Sequence, residues 1–311
     1  MKEQVLRGPF DFSIDRKSET RYFHMQTQFI HIGFDGKRTG METYLLRLRC
    51  VPAALSGKNL DEYTCQEFGL QLNGESIVTI PALKLFSYQF NMMSGIDGKG
   101  PVFGIPHERF EDMTDSMGNK LSPDIRYAVY NNFIDFHSLN DVFAKPMKFG
   151  KGIQELKYFG DNVVHASAFT EAPISLGTAV KPGSIFHNGE VTLELKGICI
   201  IDGVVCAIVG YDSGESNFRM TFALGNGLDA MTKGGSEYKG DMYIDLETGW
   251  VRKVTLDEFV VTEAETTNSP SKVYSYTVRH LLLRLVDELN CTSSPITLLA
   301  LSKTNGKNQK Y

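Results

Sequence analysis

Alternation with a period of two dominates the N-terminal part of the chain. From Arg21 to Ile32, Phe23, Met25 and Phe29 fall on one face and Tyr22, His24, Gln26 and Gln28 on the other, the pattern of a strand with one dry and one wetter side. Thr43 to Val51 repeats it, with Tyr44, Leu46, Leu48 and Cys50 set against Arg47 and Arg49. Between them lies Phe34-Asp35-Gly36-Lys37. Both central positions of a two-residue hairpin take positive φ, which Gly accepts freely and Asp tolerates, so this segment predicts the turn. Asp-Gly recurs in Ile96-Asp97-Gly98-Lys99 and Ile201-Asp202-Gly203-Val204. Asn73-Gly74 joins a strand over Tyr63 to Leu72 to one over Glu75 to Ile80, and Phe86 to Phe90 reads as a short strand.

The period then changes to that of a helix. Ser122-Pro123-Asp124 is a start signal, with Ser as N-cap, Pro at the first helical position and Asp at the positive end of the dipole. Ile125, Val129, Phe133, Phe136, Leu139 and Phe143 follow at helical spacing until Pro146, which predicts one amphipathic helix over 122–144. Its aromatic stripe must be covered, most economically by the open face or mouth of a sheet. Sheet resumes with Val191, Leu193 and Leu195, with Val204 to Val209 (apolar on both faces, hence central), and with Phe218, Met220, Phe222 and Leu224. Met242, Ile244 and Leu246 lead through Glu247-Thr248-Gly249 to a strand from Trp250 to Val261. Val273 to Leu283 fits a strand or a helix, and its Tyr and Val content favours strand. The glycine-rich stretch 225–240 reads as a loop and the tail from Ser302 as a frayed end. The expected fold is mainly β: a curved antiparallel sheet or half-barrel in one domain over 1–301, with one main helix packed over its concave face.

Composition narrows the function classes. The 311 residues are 42% hydrophobic, with 29 Gly, 20 Phe and 13 Tyr against 1 Trp, the balance of a turn-rich globular protein. A net charge of −5, without a long Lys/Arg run before the tail, gives no footprint for a phosphate backbone, so nucleic acid is not an expected partner. No stretch approaches the roughly 20 apolar residues of a membrane span, and Leu281-Leu282-Leu283 is broken by Arg284. Met1 to Asp15 carries Lys2, Glu3, Arg7, Asp11 and Asp15 rather than a secretory apolar core. The expected location is cytoplasmic as written, and the cell envelope if an N-terminal signal has been removed.

Five cysteines cannot all pair within the chain. The Asp202-Gly203 turn sets Cys199 opposite Cys206 at a hydrogen-bonded position, with Cα atoms about 5.5 Å apart, within reach of a disulfide. The pair fits either a bridge or two small apolar core residues. No Cys or His has zinc-ligand spacing, and no metal or cofactor is expected.

In Gly240 to Glu258 a strand, the turn Asp245-Leu246-Glu247-Thr248-Gly249 and a second strand follow one another, preceded by Leu193-Glu194-Leu195-Lys196-Gly197-Ile198 and Ile201-Asp202-Gly203-Val204. These segments resemble the half-barrel proteins similar to the bacterial lipoprotein carriers LolA and LolB and their uncharacterised relatives. The resemblance implies an incomplete, strongly curved sheet whose apolar concave face is covered by helical segments and, in the better-known members, holds acyl chains. The chain departs from the carriers in its greater length and in showing no signal peptide or lipobox.

Candidate chemistry is sparse. His24 and His165 are the two histidines that could serve as acid or base within a cavity, and His137, off the helix stripe, is expected to face solvent. Gly210 to Ser216 lacks the Gly-x-Ser-x-Gly spacing of a serine-hydrolase elbow and reads as a hairpin loop. Glu111, Asp112 and Asp115 fail the calcium-loop pattern and read as a solvated acidic segment. The residues expected to line a ligand site are Tyr22, His24, Tyr44, Phe133, Phe136 and His165. Three functions remain open: binding or carrying a hydrophobic or amphipathic small molecule, a cofactor-independent cyclase or isomerase using the same cavity, and a ligand-free interaction module pairing through a sheet edge.

Overall fold

The computed structural model of the chain describes residues 8–95, 101–166, 170–171, 179–187, 189–225, 227–292 and 295–299. The Asp97-Gly98 turn and the tail from Ser302 lie outside the described residues. All described strands belong to one open antiparallel sheet. The first block is the meander expected from the alternation: β1 (Arg21–Gly33), β2 (Arg38–Val51), β3 (Glu62–Leu72), β4 (Val78–Thr79) and β5 (Ser87–Gln89). A one-turn helix, α1 (Ala53–Ser56), separates β2 from β3. The Asn73-Gly74 turn has positive φ at both positions, 49° and 80°. The Asp35-Gly36 turn differs: only Gly36 is left-handed, and the Asp35 carboxylate instead accepts the Lys37 N–H at 3.1 Å.

The second block comprises the short strands β6 (Asn162–Val164), β7 (Thr170–Glu171), β8 (Ala179–Val180) and β9 (Ile185–His187), then β10 (Thr192–Ile201), β11 (Val204–Asp212), β12 (Ser216–Gly225), β13 (Leu228–Asp245), β14 (Val251–Thr266) and β15 (Ser269–Val286). β15 pairs with β1, from Tyr22↔Val286 to Gly33↔Ser275, so the first and last described strands meet in the middle of the sheet and fuse the blocks. The order is β4-β3-β2-β1-β15-β14-β13-β11-β10-β6.

At β13 the sheet forks. Residues Lys239–Asp245 pair with β11 and Leu228–Ser236 pair with β12, so β11 and β12 stand end to end along one partner and Ser213–Glu215 bridges them. Gly210 to Ser216 is therefore not a hairpin loop, since β11 and β12 do not pair with each other. The stretch 225–240 is also mostly strand rather than loop. Its glycines are there for space: a Cβ on Gly240 would meet the Thr255 carbonyl oxygen at 1.8 Å and the Tyr211 hydroxyl at 2.7 Å, and one on Gly234 would meet the Phe218 ring at 2.7 Å. Tyr211 reaches across Gly240 to donate to the Thr255 carbonyl at 2.7 Å. Cross-strand aromatic packing replaces the missing side chains and keeps this glycine-rich strand in register.

The main helix, α2 (Pro123–His137), begins at Pro123 as expected, but the Ser122 side chain makes no cap hydrogen bond. It lies over β1–β3 on what we call the inner face. Phe136 meets Phe23 at 5.2 Å between centroids, Phe133 stacks on Phe68 at 5.9 Å, and Asn132 accepts the Thr27 hydroxyl at 2.6 Å. Arg279 of β15 pins the helix through Asp135 at 2.5 Å while also holding Glu258 of β14 at 2.6 Å. The helix does not run evenly to 144: residues Ser138–Val142 form a π turn, closed by Phe143 N–H to the Ser138 carbonyl at 2.9 Å.

The wetter side of β1 is covered too. Helix α3 (Glu288–Thr292) and residues 295–299 lie on the outer face, where Gln26 accepts the Leu299 N–H at 2.7 Å and Arg47 donates to the Pro295 carbonyl at 2.9 Å. His24 and Arg47 are consequently only 4% and 2% exposed.

Candidate functional site

Past the end of α2 a cleft opens beneath the N-terminal segment. This segment is tied down at intervals: Phe10 N–H to the Lys157 carbonyl at 2.8 Å, Lys17 N–H to the Thr248 carbonyl at 2.9 Å, and the Trp250 indole N–H to the Lys17 carbonyl at 2.8 Å. The opposite wall is the Asp245–Gly249 turn. Asp245 accepts the N–H groups of Glu247 and Thr248 at 2.8 and 3.2 Å, the local bonding that makes Asp a turn former, and Gly249 takes φ 70°. The cleft holds about 360 Å³, at the lower end of the roughly 300–1,000 Å³ of small-molecule sites. Phe12, Ile14, Pro52, Ala53, Leu246 and Trp250 give it apolar walls, while Arg16, Lys145, Asp61, Asp15 and Asp245 bring charge.

The floor is a buried ionic cluster built on the π turn. Asp141 is fully buried and accepts from Arg16, Lys145 and Tyr63, each at 3.0 Å, and from His137 Nδ1 at 2.8 Å. Arg16 also donates to the Asn140 and Gly249 carbonyls and lies 4.7 Å over the Trp250 ring. Lys145 reaches Asp61 at 3.2 Å, and Asp61 caps α1 through the Ala53 N–H at 2.9 Å. Burial opposes the charge on Asp141, yet Lys145, His137 and Arg16 together hold its carboxyl well below the usual range. Burial pushes His137 down despite Asp141. The ring is then neutral, donating from Nδ1 to Asp141 and accepting at Nε2 from the Tyr88 hydroxyl at 2.7 Å. Burial also raises the Tyr88 phenol, which keeps it a donor. Arg16 and Lys145 balance Asp141 and Asp61, so the charges of the floor are paired and neutral, the condition under which buried charges are tolerated, while the buried Asn140 side-chain amide beside them makes no hydrogen bond among the described residues.

Tyr88, His137 and Asp141 have the donor order of an acid–base relay. Both ring nitrogens of His137 are engaged, however, and the ring is stacked on Phe90 and edge-on to Tyr63, each at 4.6 Å. Such a group orients its neighbours; it has no nitrogen to offer a substrate.

The six residues expected to line one site occupy three places. Tyr44, Phe133 and Phe136 meet on the inner face, bridged by Phe68 and Tyr63, and all three are fully buried, so the space under α2 is filled by the protein's own rings. Tyr22 and His24 lie on the outer face. Tyr22 is raised by burial and by its bond to Glu288, while burial and then Arg47 push His24 down to about 4. His165 follows β6 and packs edge-on to Phe143 at 5.3 Å, its basicity lowered by burial to about 4. Neither histidine lines the cleft. His137, expected in solvent, is fully buried, because Tyr63 of β3, Tyr88 of β5, Phe90 and Phe103 pack around its ring. Asp115 is likewise mostly buried, accepting the N–H groups of Met117 and Asn119 at 2.8 and 2.9 Å as a turn former.

The residues that sequence reasoning missed are Arg16, Asp61, Asp141, Lys145 and Trp250. One signal was present: His137, Asp141 and Lys145 recur every four residues, which puts them on one helical face. Among the described residues no group of His, Cys, Asp and Glu could hold a metal ion, and no helix is long and apolar enough to cross a membrane.

No family model and no curated protein matches the chain. Among solved structures it is similar to a DUF1329 family protein from Desulfovibrio piger, at 10% identity over 87% of this chain and 89% of that one, with a TM-score of 0.15. It is also similar to OprB of Pseudomonas putida, at 5% identity over 86% and 94% of the two chains, with a TM-score of 0.19. A loop-deletion mutant of OmpT, an outer membrane protein of Vibrio cholerae, matches at 9% identity over 85% and 99%, with a TM-score of 0.15. At these TM-scores none of the overlays establishes a shared fold.

Proposed function

We propose that the chain binds a small amphipathic molecule in the cleft beneath Asp11–Ser18. Its hydrocarbon part would lie against Trp250, Leu246, Phe12 and Ile14, and its polar end toward Lys145 and Asp61. The observation that carries this reading is the pairing of a cleft of about 360 Å³, with apolar walls, and a floor whose charges are already neutralised. A neutral floor does not demand a charged ligand, so affinity comes from apolar area removed from water, at roughly 25 cal/mol per Å². The half-barrel resemblance favours the same class of cargo, a hydrocarbon-bearing molecule, while the filled inner face moves its place from under α2 to the end of it. A cyclase or isomerase would need an acid or base facing the ligand, and the engaged nitrogens of His137 argue for the binding reading.

Native mass spectrometry of protein extracted without detergent tests it. The expected result is a bound hydrocarbon-bearing species that is absent from Ala53→Phe, whose ring would fill the cleft. Protein that carries no adduct, or an adduct retained in Ala53→Phe, overturns the reading.

A further inference from the structure

The hairpin of β10 and β11 carries a second kind of chemistry, independent of the cleft. Asp202 and Gly203 both take left-handed φ, 49° and 79°, so the two-residue turn fixes the register without a bulge as far as Cys199↔Cys206. Residues directly opposite in an antiparallel pair share a face, so both thiols project to the same side. Ile201↔Val204 closes the turn and Cys199↔Cys206 is two steps on, a hydrogen-bonded position with Cα atoms about 5.5 Å apart. That lies inside the roughly 4.4–6.8 Å a disulfide spans.

The two thiols stand in unequal surroundings. Cys199 is half-buried and Cys206 is buried, and both are free. On the face of the thiols the next pair toward the turn, Ile201 and Val204, is half-buried, and Asp202 and Gly203 are exposed, so a small reagent can reach the half-buried Cys199 from the turn. Lys253, whose ammonium lies over Tyr243, is the cation that acts on Cys199. Burial raises both thiols, Cys206 to about 11, so both rest protonated and closure needs an oxidising partner. Cys50, Cys65 and Cys291 are buried elsewhere and serve as internal comparators.

We propose that Cys199 and Cys206 form a redox site, a reversible cross-strand disulfide closed by exchange with a small disulfide of the glutathione class. The Cys199 thiolate attacks one sulfur of that disulfide, breaking its S–S bond and releasing one thiol. The Cys206 thiolate then attacks the Cys199 sulfur, displacing the second thiol. Two protein thiols are oxidised, one external disulfide is reduced to two thiols, and the two protons lost by the cysteines end on the leaving thiols. At a hydrogen-bonded pair the side chains are farther apart than at the alternate position, yet the Cα separation stays within the reach of a disulfide, which excess thiol can reopen. It would lock the hairpin that Leu246 N–H holds to the Val205 carbonyl at 3.1 Å, next to the turn that walls the cleft.

The test uses the whole folded chain, incubated with oxidised glutathione, then alkylated, unfolded, alkylated again and digested with trypsin. The expected result is that the peptide from Gly197 to Arg219 loses two hydrogens and takes no alkyl group, while Cys50, Cys65 and Cys291 are alkylated. Dithiothreitol should restore both thiols. Cys206→Ser should stop at a glutathione adduct on Cys199. The proposal is overturned if both cysteines remain alkylatable, if wild-type protein accumulates glutathione adducts without closing, or if another cysteine pair forms instead. The wild-type result decides it even where the variant fails to fold.

Discussion

The inner side of the α2 body and the end of the π turn both bury their side chains, yet they are built from opposite materials. Along the body, Phe133 and Phe136 interlock with Phe23, Phe68 and Tyr63, and the helix is bound to the sheet by dispersion and the exclusion of water. In the π turn, Asn140 and Asp141 are buried among Arg16, Lys145 and Tyr63. Rings of this size close over any free volume, so the body leaves no room beneath it. A charged cluster needs every partner at hydrogen-bond distance, so it holds the walls around it at fixed spacing, and the cleft persists there. The lesson is that the aromatic wealth of the chain makes its core, while its buried charges frame the cavity.

Four perturbations break or sharpen this contrast. The largest effect is expected for Asp141→Ala, which strands Arg16 and Lys145 beside a lost carboxylate and also unpairs Tyr63 and His137. It should cost the upper part of the roughly 3–5 kcal/mol range for breaking a buried pair, read as a lower urea midpoint at unchanged slope. Phe133→Ala, which leaves a void and no orphaned charge, should cost about 3–4 kcal/mol and leave Trp250 emission unchanged. A smaller loss for Asp141→Ala than for Phe133→Ala would break the contrast.

Acidification comes next. His24 and His165 are depressed from 6.5 to about 4, so between these pH values the unfolded chain binds protons that the folded chain refuses. Stability therefore falls as pH drops through this window, by about 3 kcal/mol for each histidine once pH is below 4. Urea midpoints at pH 7 and pH 4 should show it, and His24→Leu should remove its share of the slope. The smallest effect is expected for Phe34→Ser, a ring 75% exposed on the β1–β2 turn, which should stay within about 0.5 kcal/mol in the same urea assay.

Much of the fold could be read in advance because its signals are local. Alternation at Phe23, Met25 and Phe29, the spacing from Ile125 to Phe136 and the two-residue turn at Asp202-Gly203 each depend on neighbours only. What escaped depends on remote partners. β1 pairs with β15 across almost the whole chain, and no local signal announces that Phe23 lies opposite Leu285. Gly234 and Gly240 read as loop because the rings of Phe218 and Tyr211 that occupy their space belong to other strands. The outer face of β1 read as wet because its cover is the distant segment around Pro295 and Leu299. For the candidate site, the four-residue spacing of His137, Asp141 and Lys145 was visible, but Arg16, which completes the cluster, is more than a hundred residues away. The π turn that aims Asp141 follows from those tertiary bonds and not from any local pattern.

The most direct measurement uses Trp250, the one tryptophan of the chain and part of the cleft wall. Its emission would be followed while decylamine, decanoate and decanol, which share a tail and differ in polar end, are titrated in separately. The cleft reading predicts a saturable change with at least one of them below its micelle-forming concentration, lost in a folded Ala53→Phe variant. No saturable change with any of the three, or an unchanged response in Ala53→Phe, would contradict it.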